Sequence, residues 1–264
     1  MLETAIKAAK SAAVILLENF GKISARDIRE KNKNDFLTYV DEQAEQKIIS
    51  VIKEKYPQHD ILAEESGAQN QSSDFQWIID PLDGTKNYIS GIPIFGISIA
   101  LKYKQDIILG VILDPLREEL FWAEKTKGAY LNGNVIKVSG KRHLETCLLA
   151  TGFPFKYKKF LHRYLTSFEQ IFKNASGIRR MGAASIDLAY LAKGRFDGFW
   201  EIGLNPWDVA AGSLIVQEAG GTISDFWGTN NYLFSGYFLA SNGLIHNQLL
   251  KLLQKQYSNY VKID

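Results

Sequence analysis

Apolar residues return every three or four positions at the start of the chain: Leu2, Ile6, Ala9, Ala13, Leu16, Leu17 and Phe20. That spacing predicts an amphipathic helix over residues 3–20, ended by Gly21. The polar stretch REKNKND, residues 29–35, fits neither period and reads as a plain linker or a mobile loop over a site. A second helix is predicted over 38–55, with Val40, Ala44, Ile48, Ile49 and Ile52 on one face. Residues 60–67 read as a short strand running into Glu64, Glu65 and Gly67, followed by a polar surface loop. Residues 76–80 read as a strand stopped by Pro81. Strands are expected over 94–103, 107–113, 119–123 and 135–138, with Asn132-Gly133 as a hairpin signal. A second half opens with a strand at 147–153. Helices follow at 160–173 and 184–192, the latter ended by Gly194. A strand at 195–201, a helix at 207–219, strands at 222–224 and 237–240 and a final helix at 244–256 complete the reading. Strand runs mixed with helices suggest packed layers of sheets and helices, an α+β arrangement.

The chain has 264 residues, 46% hydrophobic and 23% charged, enough for one large domain or two intimate lobes around a substantial core. Its net charge of +2 is too balanced to indicate a nucleic-acid or anionic-membrane surface. The cluster Lys156-Tyr157-Lys158-Lys159 reads as a solvated loop. Cys147 is the sole cysteine, which removes internal disulfides and cysteine-based zinc sites. His59, His143, His162 and His246 lie far apart, so a histidine metal site or triad is not expected. No apolar run reaches membrane-spanning length, and the expectation is a soluble cytoplasmic protein.

Five acids stand at the ends of predicted elements. Glu64 and Glu65 follow a strand, Asp80 ends one, Asp83 follows the next turn, and Asp208 begins a helix after Pro206-Trp207. Carboxylates delivered by rigid elements, without histidine or cysteine, suit a hard, oxygen-preferring cation such as magnesium. Each acid also has a plainer use. Asp83 before Gly84-Thr85 suits a turn or helix cap, Asp208 complements a helix dipole, and Glu64 and Glu65 suit a charged surface. If a helix starts at Gly84-Thr85, its free N–H groups would face an anion such as phosphate. Phosphate beside clustered cations points to phosphoryl chemistry with water as nucleophile, oriented by Thr85 with Glu64 as its base.

Together, AEESG (63–67), WIIDPLDGTKNY (77–88) and NPWDVAAGSLIVQEAGG (205–221) resemble the inositol monophosphatase family of magnesium-dependent phosphatases, in the family's order. GFPF (152–155) and the segment 177–208 resemble its bacterial inositol-1-monophosphatase branch. The resemblance implies a single domain over 1–264, an α-β-α-β-α sandwich with a metal-binding α+β lobe over about 1–145 and an α/β lobe over about 146–264. It implies two to three Mg2+ ions held by Glu64, Asp80, the Leu82 carbonyl, Asp83 and Asp208. Gly84 and Thr85 would bind phosphate, and Glu64, Thr85 and Asp80 would carry catalysis. Ala184, Glu201 and Asp208 would meet the substrate, with Gly182 and Ala183 lining the pocket. Lys33 and Asp35 would belong to a mobile loop near a third ion. The implied activity is hydrolysis of myo-inositol monophosphate in a lithium-sensitive family of homodimers. Relatives acting on fructose-1,6-bisphosphate, 3′-phosphoadenosine 5′-phosphate or NADP, and relatives that bind transcription machinery, mark the alternatives.

Overall fold

The first predicted helix forms as α1 (Leu2–Asn19), in a computed structural model that describes residues 1–32, 35–69 and 72–257. Next come a ribbon of β1 (Ile28–Asn32) and β2 (Asp35–Thr38), then α2 (Tyr39–Lys55). β3 (Asp60–Ala63), β4 (Gly67–Gln69), β5 (Phe75–Asp83) and the short α3 (Thr85–Ile89) follow. A meander runs through β6 (Gly96–Tyr103), β7 (Asp106–Asp114), β8 (Glu119–Glu124), β9 (Ala129–Leu131) and β10 (Asn134–Ile136). The rest comprises β11 (Leu148–Thr151), α4 (Leu161–Phe172), β12 (Gly177–Arg179), α5 (Ala184–Ala192), β13 (Gly198–Ile202) and α6 (Pro206–Glu218). β14 (Thr222–Ser224), α7 (Tyr232–Ser235), β15 (Tyr237–Ser241) and α8 (His246–Gln254) complete it.

Two sheets organise these elements. One has eight strands in the order β10-β9-β8-β7-β6-β5-β3-β4, antiparallel except for the parallel β3–β5 pair. The other has five, in the order β12-β11-β13-β15-β14, with β11 parallel to both its neighbours. Side chains alternate between the faces of a strand, and the cores follow that rule. Trp77 and Ile79 of β5 pack toward α1 and α2 with Ala5, Ala12, Ile48 and Ile52. Ile78 packs the other way, with Leu188 of α5 and Ala211 and Ile215 of α6. The same helices meet Ala150, Phe199 and Ala240 of the five-stranded sheet. On that sheet's far face Leu149, Trp200 and Leu239 pack with Tyr164 of α4 and Leu249 and Leu253 of α8. The result is the expected α-β-α-β-α sandwich. Asp80 shares the parity of Ile78, so β5 delivers it into the middle helical layer.

Three expectations need correction. β5 does not stop at Pro81 but runs to Asp83. Its pairing passes from Asp80↔Ser98 to Asp83↔Gly96 through a register irregularity that absorbs a residue with no N–H to donate. Residues 29–32 and 35 are strand and not linker, because Arg29↔Leu37 and Glu30↔Phe36 pair across a two-stranded ribbon. Asp35 thus opens β2, while Lys33 lies outside the described residues. Ala68 and Gln69, expected in a surface loop, continue a strand from Gly67 that pairs antiparallel with β3. β9, β12 and α7 are short elements that the pattern did not signal.

Candidate active site

The middle helical layer and the short α3 send their N-termini to one place. α6 begins at Pro206 beside Asp208, α5 begins at Ala184, and α3 begins just past Asp83. Asn205 caps α6, and its backbone N–H donates to Asp208 Oδ2 at 2.6 Å. Ser98 donates its hydroxyl to the Trp207 carbonyl at 3.1 Å, fastening this end of α6 to β6. Ser185 donates both its N–H and its hydroxyl to Asp83 Oδ2, each at 2.6 Å. Asp80 Oδ1 accepts the Leu82 N–H at 3.0 Å, which curls the chain after Pro81. These contacts bring carboxylate oxygens of Asp80, Asp83 and Asp208 within 4.8 Å of one another. Glu64 lines the same cleft. Its N–H donates to the Ile79 carbonyl at 3.1 Å, and the next two N–H groups, of Glu65 and Ser66, donate to Glu45 at 2.8 Å. Buried Glu45 therefore holds the turn that presents Glu64.

The electrostatics are costly as drawn. Asp80 is buried, and Asp83 and Asp208 are half-buried. Burial, followed by the charges of Glu64, Asp83 and Asp208, pushes the Asp80 carboxyl well above its ordinary range. Burial and then Glu64 and Asp83 do the same to Asp208. Burial raises Asp83 too, while its Ser185 hydrogen bonds pull it down. Three carboxylates crowded together, with oxygen donors only, make a favourable seat for a hard divalent cation. The donor set fits magnesium chemistry, and Leu82 lines the same cleft.

Beside the acids the chain turns sharply. Gly84 has φ +95, which an L side chain rarely adopts, and a Cβ there would lie 3.1 Å from the Ile94 carbonyl and 3.2 Å from Ala183 Cβ. Thr85 Oγ1 lies 3.0 Å from the Leu82 carbonyl and 3.1 Å from Asp41 Oδ1. Asp41 is buried and also accepts the N–H and hydroxyl of Thr38, the N-cap of α2. Sequence reasoning gave Asp41 no such part; the Thr38-x-x-Asp41 cap was the available signal.

The cleft has a volume of about 170 Å³. Gly182, Ala183, Ala184 and Glu201 line it together with the acids, Ala183 lying against the Gly84 turn. Burial pushes the Glu201 carboxyl up to about 8; Asp83 adds to this, and Arg180 and Lys156 oppose it. Lys86, Lys156 and Arg180 stand around the opening, so Lys156 borders the cleft as well as solvent. Phe155, exposed at the rim, has Lys86 Nζ 5.3 Å and Arg180 5.6 Å from its ring. Asp187 of α5, also missed from sequence, is buried with Oδ1 lacking a hydrogen-bond partner among the described residues. Burial raises its carboxyl well above the ordinary range, as Glu201 and Asp83 do to a lesser degree.

Comparison with known proteins agrees with this geometry. The profile of the inositol monophosphatase family matches residues 1–258. The chain is 45% identical over 259 residues to the Nus factor SuhB of Pseudomonas aeruginosa, covering 96% of each. Among solved structures, the extragenic suppressor protein suhB of Bartonella henselae superposes with a TM-score of 0.92 at 38% identity, covering 96% of this chain and 98% of that one. An IMPase of Thermotoga maritima gives 0.89 at 35% identity, covering 97% and 98%.

Proposed function

Since the chain belongs to the inositol monophosphatase family, we propose that it is a magnesium-dependent phosphomonoesterase that hydrolyses myo-inositol monophosphate to myo-inositol and phosphate. One observation carries the proposal: carboxylate oxygens of Asp80, Asp83 and Asp208 lie within 4.8 Å, next to the Gly84-Thr85 turn. Glu64, Asp80, the Leu82 carbonyl, Asp83 and Asp208 would hold two to three ions. When bound, magnesium would offset the phosphate's negative charge, acidify water and stabilise the departing alkoxide.

The chain's own groups do the rest. The rim cations Lys86, Lys156 and Arg180 attract a phosphate dianion toward a cleft that is otherwise acidic. Backbone N–H groups of Gly84 and Thr85 orient the phosphate. The Thr85 hydroxyl, fixed beside Asp41, and the Glu64 carboxylate orient the attacking water and take its proton. Glu201 receives a hydroxyl of the polyol next to the ester oxygen, and Ala184 backs the ring. Asp80 and Asp208 are held by Leu82 and Asn205, so the site needs little rearrangement at the moment of reaction. Water attacks phosphorus, the bond to the ester oxygen breaks, and the alcohol leaves with a proton. The reading takes residues 1–264 as one two-lobed domain acting as a homodimer.

A phosphate-release panel in magnesium buffer tests it, with inositol 1-phosphate, fructose-1,6-bisphosphate, 3′-phosphoadenosine 5′-phosphate and NADP. Preference for inositol phosphate supports the substrate. Preference for the bisphosphate or a nucleotide would move the substrate and leave the mechanism. A second reading rests on the name Nus factor carried by the Pseudomonas relative: the chain also binds transcription machinery. Capture of RNA polymerase or antitermination factors by both the wild type and an Asp80→Asn variant supports that reading. No capture by either contradicts it.

A further inference from the structure

Glycine occupies position 152 for a reason its backbone does not supply. Gly152 follows the end of β11 and does not take a left-handed φ. What it lacks is space. A Cβ built on it would lie 2.0 Å from Glu201 Cδ, 2.0 Å from Oε1 and 2.1 Å from Oε2. The carboxyl of Glu201 therefore fills the volume where a side chain at 152 would stand.

The register explains the overlap. β11 and β13 run parallel, with Ala150 opposite Phe199 and Thr151 opposite Trp200. One step further, residues 152 and 201 are neighbours on the same face as Ala150 and Phe199, the face turned to α5 and α6. The backbone at 152 cannot easily retreat. Thr151 donates its hydroxyl to the Trp200 carbonyl at 2.7 Å and lies 2.8 Å from the Tyr164 hydroxyl. Downstream, the Tyr157 ring packs where Gly203 has no side chain, with Cδ2 2.5 Å from a built Cβ. The segment 152–157 is thus keyed to the end of β13 at both of its ends. A methyl at 152 would have to displace Glu201, by about 1.4 Å to bring a 2.0 Å overlap to the 3.4 Å of ordinary contact.

We infer that Gly152 is the positioning residue for Glu201, its missing side chain seating the carboxyl that selects phosphate esters of polyols with a hydroxyl beside the ester oxygen. The inference rests on the phosphatase reading above. It gives Gly152→Ala a signature that a merely structural role lacks: discrimination between substrates is lost while phosphate chemistry persists. Steady-state kinetics in magnesium buffer compare myo-inositol 1-phosphate with p-nitrophenyl phosphate, whose leaving group has no further hydroxyl. For the inositol ester, kcat/KM should fall roughly 10–100-fold through KM, the size expected of an ångström-scale misplacement. For the aryl ester it should change by less than about threefold. The shorter side chain in Gly152→Ala/Glu201→Asp should recover at least about fivefold on the inositol ester relative to Gly152→Ala.

Equal loss on both esters, unchanged constants on both, or no recovery in the double variant overturns the inference. If Gly152→Ala does not fold, Gly152→Ala/Glu201→Ala decides: a restored melting transition supports the steric seat, and continued failure overturns it. Absence of phosphate release by the unmodified chain from either ester defeats the phosphatase reading itself, and the inference with it.

Discussion

Asp80→Asn should make the magnesium-free protein more stable while removing its response to magnesium. Asp80 is 1% exposed and has carboxylate oxygens of Asp83 and Asp208 within 4.8 Å. At an effective dielectric of about 20, two unit charges at that separation repel by about 3.5 kcal/mol. The asparagine removes two of the three repulsions in the cluster. It keeps an oxygen for the Leu82 N–H, which the native carboxylate accepts at 3.0 Å. Proton uptake already relieves part of the repulsion, which leaves a net gain of about 2–4 kcal/mol. For a chain of this size that corresponds to a melting temperature raised by roughly 4–7 °C. The assay is calorimetric melting in EDTA, then in rising magnesium. Wild type should gain about 2.7 kcal/mol when magnesium reaches 100 times its dissociation constant, and the variant should gain far less. A variant that melts below wild type in EDTA would refute the crowding argument. One that gains as much from magnesium as wild type would refute the role of Asp80 as ligand.

Other perturbations have equally definite outcomes. Ser185→Ala removes both the hydroxyl bond to Asp83 and some of its orientation, and should weaken magnesium binding by roughly 10–100-fold in calorimetric titration with little change in melting. Gly84→Ala forces a Cβ into a left-handed turn 3.1 Å from a carbonyl, and should cost about 1–3 kcal/mol in urea unfolding as well as phosphate affinity. His246 is buried, with Nε2 2.8 Å from Ser224 Oγ and Nδ1 3.1 Å from Ser241 Oγ. Since Ser224 donates to the Asp225 carbonyl, Nε2–H donates to Ser224 and Nδ1 accepts from Ser241, a set made for the neutral ring. Burial pulls its pKa down to about 4 from 6.5, so the unfolded chain takes the proton first. Stability is then full above pH 6.5 and lost as pH falls toward 4, by about 2 kcal/mol between pH 7 and pH 5. His246→Asn should flatten that part of the curve, and an unchanged slope would contradict it.

What could be seen in the sequence were elements with strong periodicity and acids at their ends. The 3.6-residue return of Leu2, Ile6, Ala9, Ala13 and Leu16 marks α1 because that face is buried against the sheet. The unbroken apolar run Trp77-Ile78-Ile79 marks β5 because both its faces are buried, in two different cores. The β1–β2 ribbon escaped because Arg-Glu-Lys-Asn carries no alternation, and β4, β9 and β12 are too short to show a period. Pro81 misled because its lost hydrogen bond is absorbed by an irregular register that only the neighbouring strand reveals. The convergence of Asp80 and Asp83 with Asp208 was suggested by their places at element ends. The supports were not: Thr85 meets Asp41 across 44 residues and Asp83 meets Ser185 across 102, distances that no local pattern encodes. Gly152 stood in the sequence only as the first residue of GFPF, and its link to Glu201 came from the strand register.

The most direct measurement is magnesium-dependent release of phosphate from inositol 1-phosphate by the wild type and by Asp208→Asn, each purified in EDTA and titrated with magnesium. Wild type should be inactive without the ion and turn on as it is added. Asp208→Asn, with the α6 cap intact, should stay at least about 10³-fold slower at saturation while melting no lower than wild type in EDTA, since it too relieves the crowding of carboxylates. Turnover by the wild type in EDTA, or near-wild-type turnover by Asp208→Asn in saturating magnesium, would contradict a metal-held phosphatase site.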